Sequence, residues 1–261
     1  MAFQNIIFEK DKGIARIIIN RPEKRNALNR ETRKEMGEAL EQIRKDESIR
    51  VLIFRGTGEQ SFIAGADVND LKTFSPLGMF HYMNSLGQKL YNEIENFPVP
   101  TIALINGFCF DGGVELALSC NIRLASENAK FGQTEILLGF IPGGGATQKL
   151  PRLIGSGLAK ELMFTGKVID AREAERIRLV NRTVALKDLD QEGLAIAEKI
   201  CSLSPIAIRL GKEVMNYSFQ APLHAGLAYE LMAETLCFAT EDPAEGLQAF
   251  IEKRKPEFKG G

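Results

Sequence analysis

The chain has 261 residues, 44% of them hydrophobic, and its 33 basic and 34 acidic side chains leave a net charge of −1. This length and composition suit a globular protein with a sizeable core, in one large domain plus a smaller one. The balanced charge argues against a nucleic-acid-binding or membrane-surface role, and no apolar stretch approaches the roughly 20 residues of a membrane-spanning helix.

The N-terminus and the reactive side chains favour a cytoplasmic protein whose chemistry rests on carboxylates. Residues 1–5 lack the charged start and long apolar run of a signal peptide. The four cysteines have no CxxC spacing or metal-ligand grouping, so we expect reduced, buried thiols and no metal site. With only two histidines, a Ser-His-Asp triad is not expected either.

Apolar, β-branched runs that alternate with helical patterns predict an α/β core. Strands are predicted at residues 15–19, 51–54, 101–105 and 121–125. The first helix should begin after the N-cap Asn29, because apolar residues from Met36 to Ile43 recur at helical spacing.

The strand pattern ends near residue 184, and helices are predicted from there to Arg254. We therefore divide the chain into an α/β core, residues 1–184, and a helical region, residues 185–261. Residues 223–238 are apolar around much of the helix circumference, so this helix needs a second surface to cover it.

The most informative segment is residues 105–117, where a strand turns into a helix through a glycine pair. Gly112 and Gly113 leave the first backbone N–H groups of the helix open, and the helix dipole adds partial positive charge there. Such an end can hold a developing oxyanion, with Glu115 as an acid–base group beside it. Alternatively, the glycines only allow tight packing and Glu115 only complements the dipole.

A second carboxylate, Glu135, follows twenty positions after Glu115, at the end of another apolar stretch. A helix and a return strand fit that interval, so both side chains can reach one cleft. A third element, residues 61–67, follows a predicted strand and offers small residues whose backbone a ligand can approach closely.

These three segments, with several others, resemble the enoyl-CoA hydratase (crotonase) family, and the motifs cover essentially the whole chain. The further motifs are Asn20-Arg21-Pro22 with Asn26-Ala27-Leu28, the glycine-rich Ile141 to Leu150, Leu162 to Gly166, Leu179-Val180-Asn181, and the tail Ala249 to Arg254.

The resemblance implies a right-handed spiral of ββα turns whose C-terminal helices form a homotrimer or a homohexamer. It implies the reversible addition of water to a 2-enoyl-CoA, with no cofactor beyond the CoA of the substrate. The amides of Ala66 and Gly112 then form the oxyanion hole for the thioester carbonyl, Glu115 activates water, and Glu135 delivers a proton to C2. Fixed donors are needed where the enolate forms, and a carboxylate must take the proton of water.

The resemblance also implies residues that contact substrate or CoA, the last two of them commonly from a neighbouring subunit. They are Arg25, Ala27, Ala64, Gly65, Asp67, Val68, Phe108, Asp111, Thr134, Gly139, Phe250 and Lys253.

One departure concerns Asp111, which stands where the family usually has glycine. A carboxylate facing the thioester would oppose the enolate and raise neighbouring pKa values, so we expect this side chain to point away from the site.

Alternatives remain open at this point. The chain could carry out another crotonase-type reaction, such as isomerisation or hydration of a branched or cyclic acyl-CoA. It could also be a catalytically silent CoA- or RNA-binding member, although residues 30–50 have equal numbers of basic and acidic side chains, whereas phosphate binding needs an excess of positive charge. A dinucleotide site at residues 56–61 is not expected, because the last glycine of GxGxxG is missing.

Overall fold

The computed structural model describes residues 3–260; Met1, Ala2 and Gly261, which belong to the N-terminal and domain predictions, lie outside the described residues. The strands are β1 (Ile6–Asp11), β2 (Ile14–Ile19), β3 (Val51–Gly56), β4 (Ser61–Ile63), β5 (Thr101–Ile105), β6 (Phe108–Phe110), β7 (Ile122–Ser126), β8 (Lys130–Gly132), β9 (Ile169–Asp170) and β10 (Arg182–Val184). The helices are α1 (Arg30–Arg44), α2 (Val68–Leu71), α3 (Pro76–Tyr82), α4 (Gln88–Glu95), α5 (Gly112–Ser119), α6 (Ala146–Ile154), α7 (Ser156–Thr165), α8 (Ala171–Arg176), α9 (Leu189–Cys201), α10 (Pro205–Tyr217), α11 (Leu223–Phe238) and α12 (Asp242–Glu252).

Two sheets organise the core. One has the order β1-β2-β3-β5-β7-β10 and the other has the order β4-β6-β8-β9. Strand pairs β3/β4, β5/β6 and β7/β8 each place one strand in either sheet, and these strands run parallel to their counterparts in the next pair. This repetition produces the predicted spiral of ββα turns, with the antiparallel pair β1/β2 at one edge.

The apolar pattern of the sequence accounts for most of the long elements. All four predicted strands form, and β5 has the predicted bounds. Asn29 caps α1, and its side chain accepts a hydrogen bond from the amide of Thr32 at 2.8 Å. The residues between Met36 and Ile43 that define the apolar face of α1 are buried in the larger of two hydrophobic clusters.

The C-terminal helices attach to this core through both apolar and polar contacts. Leu189 and Ala197 of α9 pack with strands β3, β5 and β7 in the second hydrophobic cluster. Lys212 of α10 is buried, and its ammonium donates to the carbonyls of Phe97 at 2.6 Å and Val99 at 2.9 Å. These bonds fix α10 beside the start of β5.

Helix α11 leaves most of its apolar surface uncovered. Among its described residues only Ala233 is buried. Its large exposed side chains are Leu223, Leu227, Leu231, Met232, Leu236 and Phe238. Within residues 3–260, no helix combines the length and apolar character needed to cross a bilayer.

Candidate active site

The glycine pair at the start of α5 lets strand β4 approach the helix end. A Cβ atom on Gly113 would lie 2.4 Å from the carbonyl oxygen of Ile63, which is far closer than any side chain tolerates. The loop that follows Ile63 therefore runs directly past the N-terminus of α5. This packing places Ala66 and Gly112 on neighbouring segments.

The amide of Ala66 is held in an extended segment that bonds on one side only. The carbonyl of Gly65 accepts from the amide of Leu28 at 2.9 Å, and the amide of Asp67 donates to the carbonyl of Leu28 at 2.9 Å. Because successive N–H groups of an extended chain point to opposite sides, the N–H of Ala66 points away from Leu28. Within the described residues it donates to no backbone or side-chain acceptor.

The amide of Gly112 is the first N–H group of α5. The first N–H groups of a helix have no intrahelical acceptor, and the helix dipole makes this end partially positive. In the part of the chain that the structure describes, this amide makes no other hydrogen bond. Neither of the two predicted oxyanion-hole donors is thus used by a hydrogen bond within the described residues.

Glu115 lies in the first turn of α5, and only 4% of its surface is exposed. Its Oε1 accepts a hydrogen bond of 2.5 Å from the amide of Gly144. Burial raises the pKa of Glu115 to about 7, although the bond from Gly144 and the charge of Arg33 act in the opposite direction. At neutral pH this group can therefore both take up and release a proton.

Glu135 opens the 3-10 turn that follows β8, and it is buried like Glu115. Burial, hydrogen-bond contact with Asp111 and the negative charges of Asp111 and Glu115 raise the pKa of Glu135 well above its ordinary value. The charge of Glu115 contributes to this rise, so the two carboxyl groups lie within range of each other's charge. That both serve one site stays a prediction.

Gln133, which sequence reasoning missed, holds Glu135 in place. Its side chain is 2% exposed, and with its amide nitrogen facing the carboxylate it donates to Oε2 at 2.9 Å and to Oε1 at 3.2 Å. No pattern in the sequence marked it, because Gln133 lies in the two-residue connection between β8 and the 3-10 turn that begins at Glu135.

The expectation that Asp111 points away from the site is wrong. Its Oδ1 accepts from the amide of Thr134 at 2.5 Å and from the Thr134 hydroxyl at 2.9 Å. A Cβ on Gly65 would lie 2.9 Å from its Oδ2. The two donors on Thr134 turn the carboxylate toward Glu135 and toward the predicted oxyanion loop, residues 64–67. Spacing in sequence does not reveal this contact between segments.

A buried cation, Arg33, lies close to Gly112 at the start of α5 and was also missed. It is 3% exposed, and its guanidinium donates to Tyr82 and, at 3.2 Å, to the hydroxyl of Tyr91. The Tyr91 hydroxyl in turn donates to the carbonyl of Gly112 at 3.0 Å, which fixes the peptide next to the oxyanion donor.

The guanidinium of Arg33 also acts on the charge of the site. Burial by itself would lower the pKa of Arg33, but the two tyrosines raise it, so the group stays charged. Among the described residues it has no carboxylate within salt-bridge distance. Its positive field helps to keep Glu115 ionised and favours an anion at Gly112. The sequence did contain a signal for Arg33, because this basic residue stands three positions before Met36 on the face of α1 that is buried.

The Asn-Arg-Pro motif and the residues after it hold the predicted oxyanion loop in place through an ion pair and hydrogen bonds. Arg21 forms a partly buried ion pair of 2.9 Å with Asp67, and its guanidinium donates to the carbonyl of Ala27. The amide of Ala64 donates to the carbonyl of Arg25 at 3.1 Å. The carboxylate of Asp67 also caps α2, so this predicted contact residue has structural partners already.

The other predicted contact residues lie at the borders of the site. Arg25 stacks over the ring of Phe108 at 5.7 Å, and both line one surface concavity. Val68 is 49% exposed at the start of α2, and Gly139, with φ of 84°, ends the 3-10 turn that carries Glu135.

Phe250 and Lys253 lie at the C-terminal end of α12. Phe250 is 84% exposed near the end of α12, and Lys253 follows that helix with φ of 55°. Within residues 3–260, no hydrogen bond or ion pair joins either side chain to the glutamates or to the oxyanion loop. Their role in binding CoA stays a prediction.

Gly144 offers a test of how strictly Glu115 is positioned. A Cβ at this residue would lie 2.3 Å from Cε2 of Tyr91 and 2.4 Å from Oε2 of Glu115. Gly144→Ala should displace both groups, and a misplacement of about 1 Å can lower a rate about 10²-fold. We expect a loss of this size in kcat for the reaction proposed below.

Gly143→Ala provides the matched control. Its Cβ would meet only the flexible end of Met83, at 3.1 Å, and that side chain can move. We expect kcat to change less than about threefold, in line with the small effect of most exposed substitutions. Equal losses in the two variants would contradict the proposed positioning.

Comparison with known proteins identifies the family of the chain. The sequence family described as enoyl-CoA hydratase/isomerase matches residues 9–261. The chain is 45% identical over 258 residues to a crotonyl-CoA hydratase of Syntrophomonas wolfei, covering 99% of each chain. It is 44% identical over 257 residues to a short-chain-enoyl-CoA hydratase of Clostridium acetobutylicum, covering 98% of each.

Solved structures show the same fold. The crystal structure of an enoyl-CoA hydratase from Bacillus anthracis superposes with a TM-score of 0.95 at 41% sequence identity, over 99% of this chain and 100% of that one. Family match, relatives and fold agree over the full length: the chain belongs to the enoyl-CoA hydratase/isomerase (crotonase) family.

Proposed function

We propose that this protein hydrates short-chain 2-enoyl-CoA thioesters reversibly to 3-hydroxyacyl-CoA. The proposal is supported above all by two amides, those of Ala66 and Gly112, that make no hydrogen bond within the described residues, and by two buried glutamates with raised pKa values. The names of the Syntrophomonas wolfei and Clostridium acetobutylicum relatives support the reaction and the short acyl chain.

The oxyanion hole acts on the thioester carbonyl. Its oxygen accepts from the N–H groups of Ala66 and Gly112, and these bonds strengthen as attack at C3 moves an electron pair onto that oxygen. One such donor typically stabilises the transition state by about 2.7–4 kcal/mol. The dipole of α5 and the charge of Arg33 add to the same effect.

The two glutamates divide the proton transfers. Ionised Glu115 takes a proton from water as the water oxygen bonds to C3. Protonated Glu135 gives its proton to C2 as the enolate returns to the thioester. Dehydration uses the same groups in the opposite protonation states.

These protonation states predict a bell-shaped pH dependence for hydration. The rate should rise as Glu115 loses its proton around its pKa of about 7, and should fall at higher pH as Glu135 loses its proton.

Residues at the border of the site are proposed to bind CoA. Arg25 supplies positive charge for a CoA phosphate, and the small residues Ala27, Ala64 and Gly65 allow the ligand to approach the backbone. Phe250 and Lys253 are proposed to reach the CoA of a neighbouring subunit.

A homotrimer or a dimer of trimers is proposed, built on the helical region 185–261 that follows the 1–184 core. The uncovered apolar surface of α11 supports this proposal, because monomeric proteins rarely expose such patches. Sedimentation velocity should show a species of three or six chains, and a monomer at micromolar concentration would contradict it.

The cytoplasm is the proposed location. Cys109 and Cys120 are buried free thiols, which suits a reducing compartment.

Crotonyl-CoA gives the direct test of the reaction. Purified protein should remove the ultraviolet absorbance of the conjugated thioester and form 3-hydroxybutyryl-CoA, identified by mass spectrometry. A panel of longer, branched and cyclic enoyl-CoA substrates then measures chain preference, with the highest kcat/KM expected for the short linear chain. No turnover of any panel member, with CoA binding retained, would overturn the proposal.

A further inference from the structure

Asp111 has a backbone conformation that a non-glycine residue rarely adopts. Its φ of 52° and ψ of −114° lie in the positive-φ region that favours glycine. Such a conformation costs about 1–3 kcal/mol and persists where the surroundings impose it. Strain at an acidic residue beside the groups proposed to react points to a function of Asp111.

The surroundings of Asp111 lock its carboxyl group in one orientation. Thr134 donates to it from both its amide and its hydroxyl, and the hydroxyl lies 2.9 Å from Oδ1 and 3.0 Å from Oδ2. The remaining side of the carboxyl group is in hydrogen-bond contact with Glu135. Two carboxyl groups in such contact cannot both ionise without strong repulsion.

The other groups around Glu135 do not relieve this repulsion. The charged groups that act on it most strongly are Asp111 at the end of β6 and Glu115 in α5, and both are acidic. Gln133, which directly follows β8, donates to Glu135 but carries no charge. The pair therefore retains a proton at a pH where an isolated carboxylic acid has lost it.

We propose that Asp111 and Glu135 share one proton at neutral pH, and that Asp111 thereby keeps the acid that protonates C2 loaded. Asp111 is a positioning residue in this scheme, because it acts on the reaction through Glu135. The inference rests on the proposed hydration and explains how Glu135 can be an acid at the pH at which Glu115 is a base.

The proton balance of a hydration cycle follows. The shared proton passes from Glu135 to C2, which leaves the Asp111–Glu135 pair with two negative charges, while Glu115 holds the proton taken from water. After product release, Glu115 loses that proton to solvent and the pair takes one from solvent. The net change is the addition of one water molecule.

Titration of the free enzyme tests the shared proton without any substrate. In protein labelled with ¹³C at glutamate side-chain carboxyls, the signal of Glu135 is assigned by its loss in Glu135→Gln. We expect its midpoint above pH 7 in the wild type, and a fall of about one pH unit or more in Asp111→Asn. Glu38→Gln, which removes an exposed carboxylate of α1, should leave the midpoint unchanged.

Kinetics tests the consequence for catalysis. In Asp111→Asn, the alkaline limb of kcat/KM for crotonyl-CoA hydration should move to lower pH by the same amount as the titration midpoint. Asp111→Gly removes the same carboxyl and suits the positive φ, so it provides the same two readouts if Asp111→Asn does not fold.

The outcomes separate this inference from the proposed function. An unchanged Glu135 midpoint in both Asp111 variants, or full ionisation of Glu135 below pH 6 in the wild type, would overturn the shared proton. A shifted midpoint with an unmoved alkaline limb would overturn its role in catalysis. An enzyme with the expected midpoint that does not hydrate any enoyl-CoA would instead overturn the proposed function.

Discussion

Glu135→Gln is expected to lower kcat for crotonyl-CoA hydration by about 10²–10⁴-fold, the usual contribution of a positioned general acid. The amide has nearly the shape of the carboxyl group, so the neighbouring Gln133 and Asp111 stay in place, but it has no proton acidic enough to give to C2. KM should change little, because the enolate-binding amides are untouched. Steady-state kinetics at the pH optimum measures both constants.

Glu38→Gln serves as the control for Glu135→Gln, since it makes the same chemical change on an exposed part of α1. It should retain wild-type kcat. If Glu135→Gln keeps more than about a tenth of wild-type activity, Glu135 is not the general acid.

Glu115→Gln is expected to lower kcat by a similar factor, about 10²–10⁴-fold, because water loses its proton acceptor. The side-chain oxygen can still accept the hydrogen bond from Gly144, so the fold of this region should be kept. The double variant should lose little more than either single variant, because groups that act as a unit are not additive. Independent, multiplying losses would contradict a joint role.

Glu115→Gln should also gain stability relative to the wild type as pH rises. The folded-state pKa of Glu115, about 7, is raised above its ordinary value of 4.5, so its protonated form contributes stability that is lost as pH rises through about 7. Glutamine does not ionise and avoids this loss. Between about pH 5.5 and about pH 8, the free energy of unfolding of Glu115→Gln should rise by about 2 kcal/mol relative to wild type.

Urea unfolding at one fixed protein concentration measures this difference, since association would change the apparent stability. If the difference in free energy of unfolding between Glu115→Gln and wild type does not depend on pH, burial does not raise the pKa of Glu115.

The sequence predicted the elements that depend on local patterns. Strands β3 and β5 and helix α1 follow from apolar runs and from the N-cap Asn29, which act over a few residues. Strands β8 and β9 were missed, because two or three residues are too few to show a period. They pair only because the spiral brings them together.

In the candidate site, too, the residues that stand in local motifs were predicted and the contacts between distant segments were not. Glu115 and Glu135 and the two glycines of α5 were predicted, since each stands in a recognisable motif. The partner of Glu115 was not, because Gly144 lies 29 positions away and is brought to the carboxylate only by the packing of the glycine-rich loop. The direction of Asp111 depends likewise on Thr134, which lies 23 positions further on.

Arg33 shows a signal that was present in the sequence and bears on the electrostatics of the candidate site. It lies on the apolar stripe of α1, where an ionisable residue must find hydrogen-bonding partners once buried. Those partners, Tyr82 and Tyr91, lie on other elements, so their identity depended on the fold. A charged residue on a buried stripe is therefore worth treating as a candidate for the electrostatics of a site.

A structure of Glu135→Gln with crotonyl-CoA bound would show whether the two amides and the two glutamate positions converge on one thioester. We expect the thioester oxygen about 2.7–3.1 Å from the amide nitrogens of both Ala66 and Gly112, with C3 facing Glu115 and C2 facing residue 135. A thioester oxygen bound to neither amide, or an acyl chain lying outside the space between the two side chains, would contradict it.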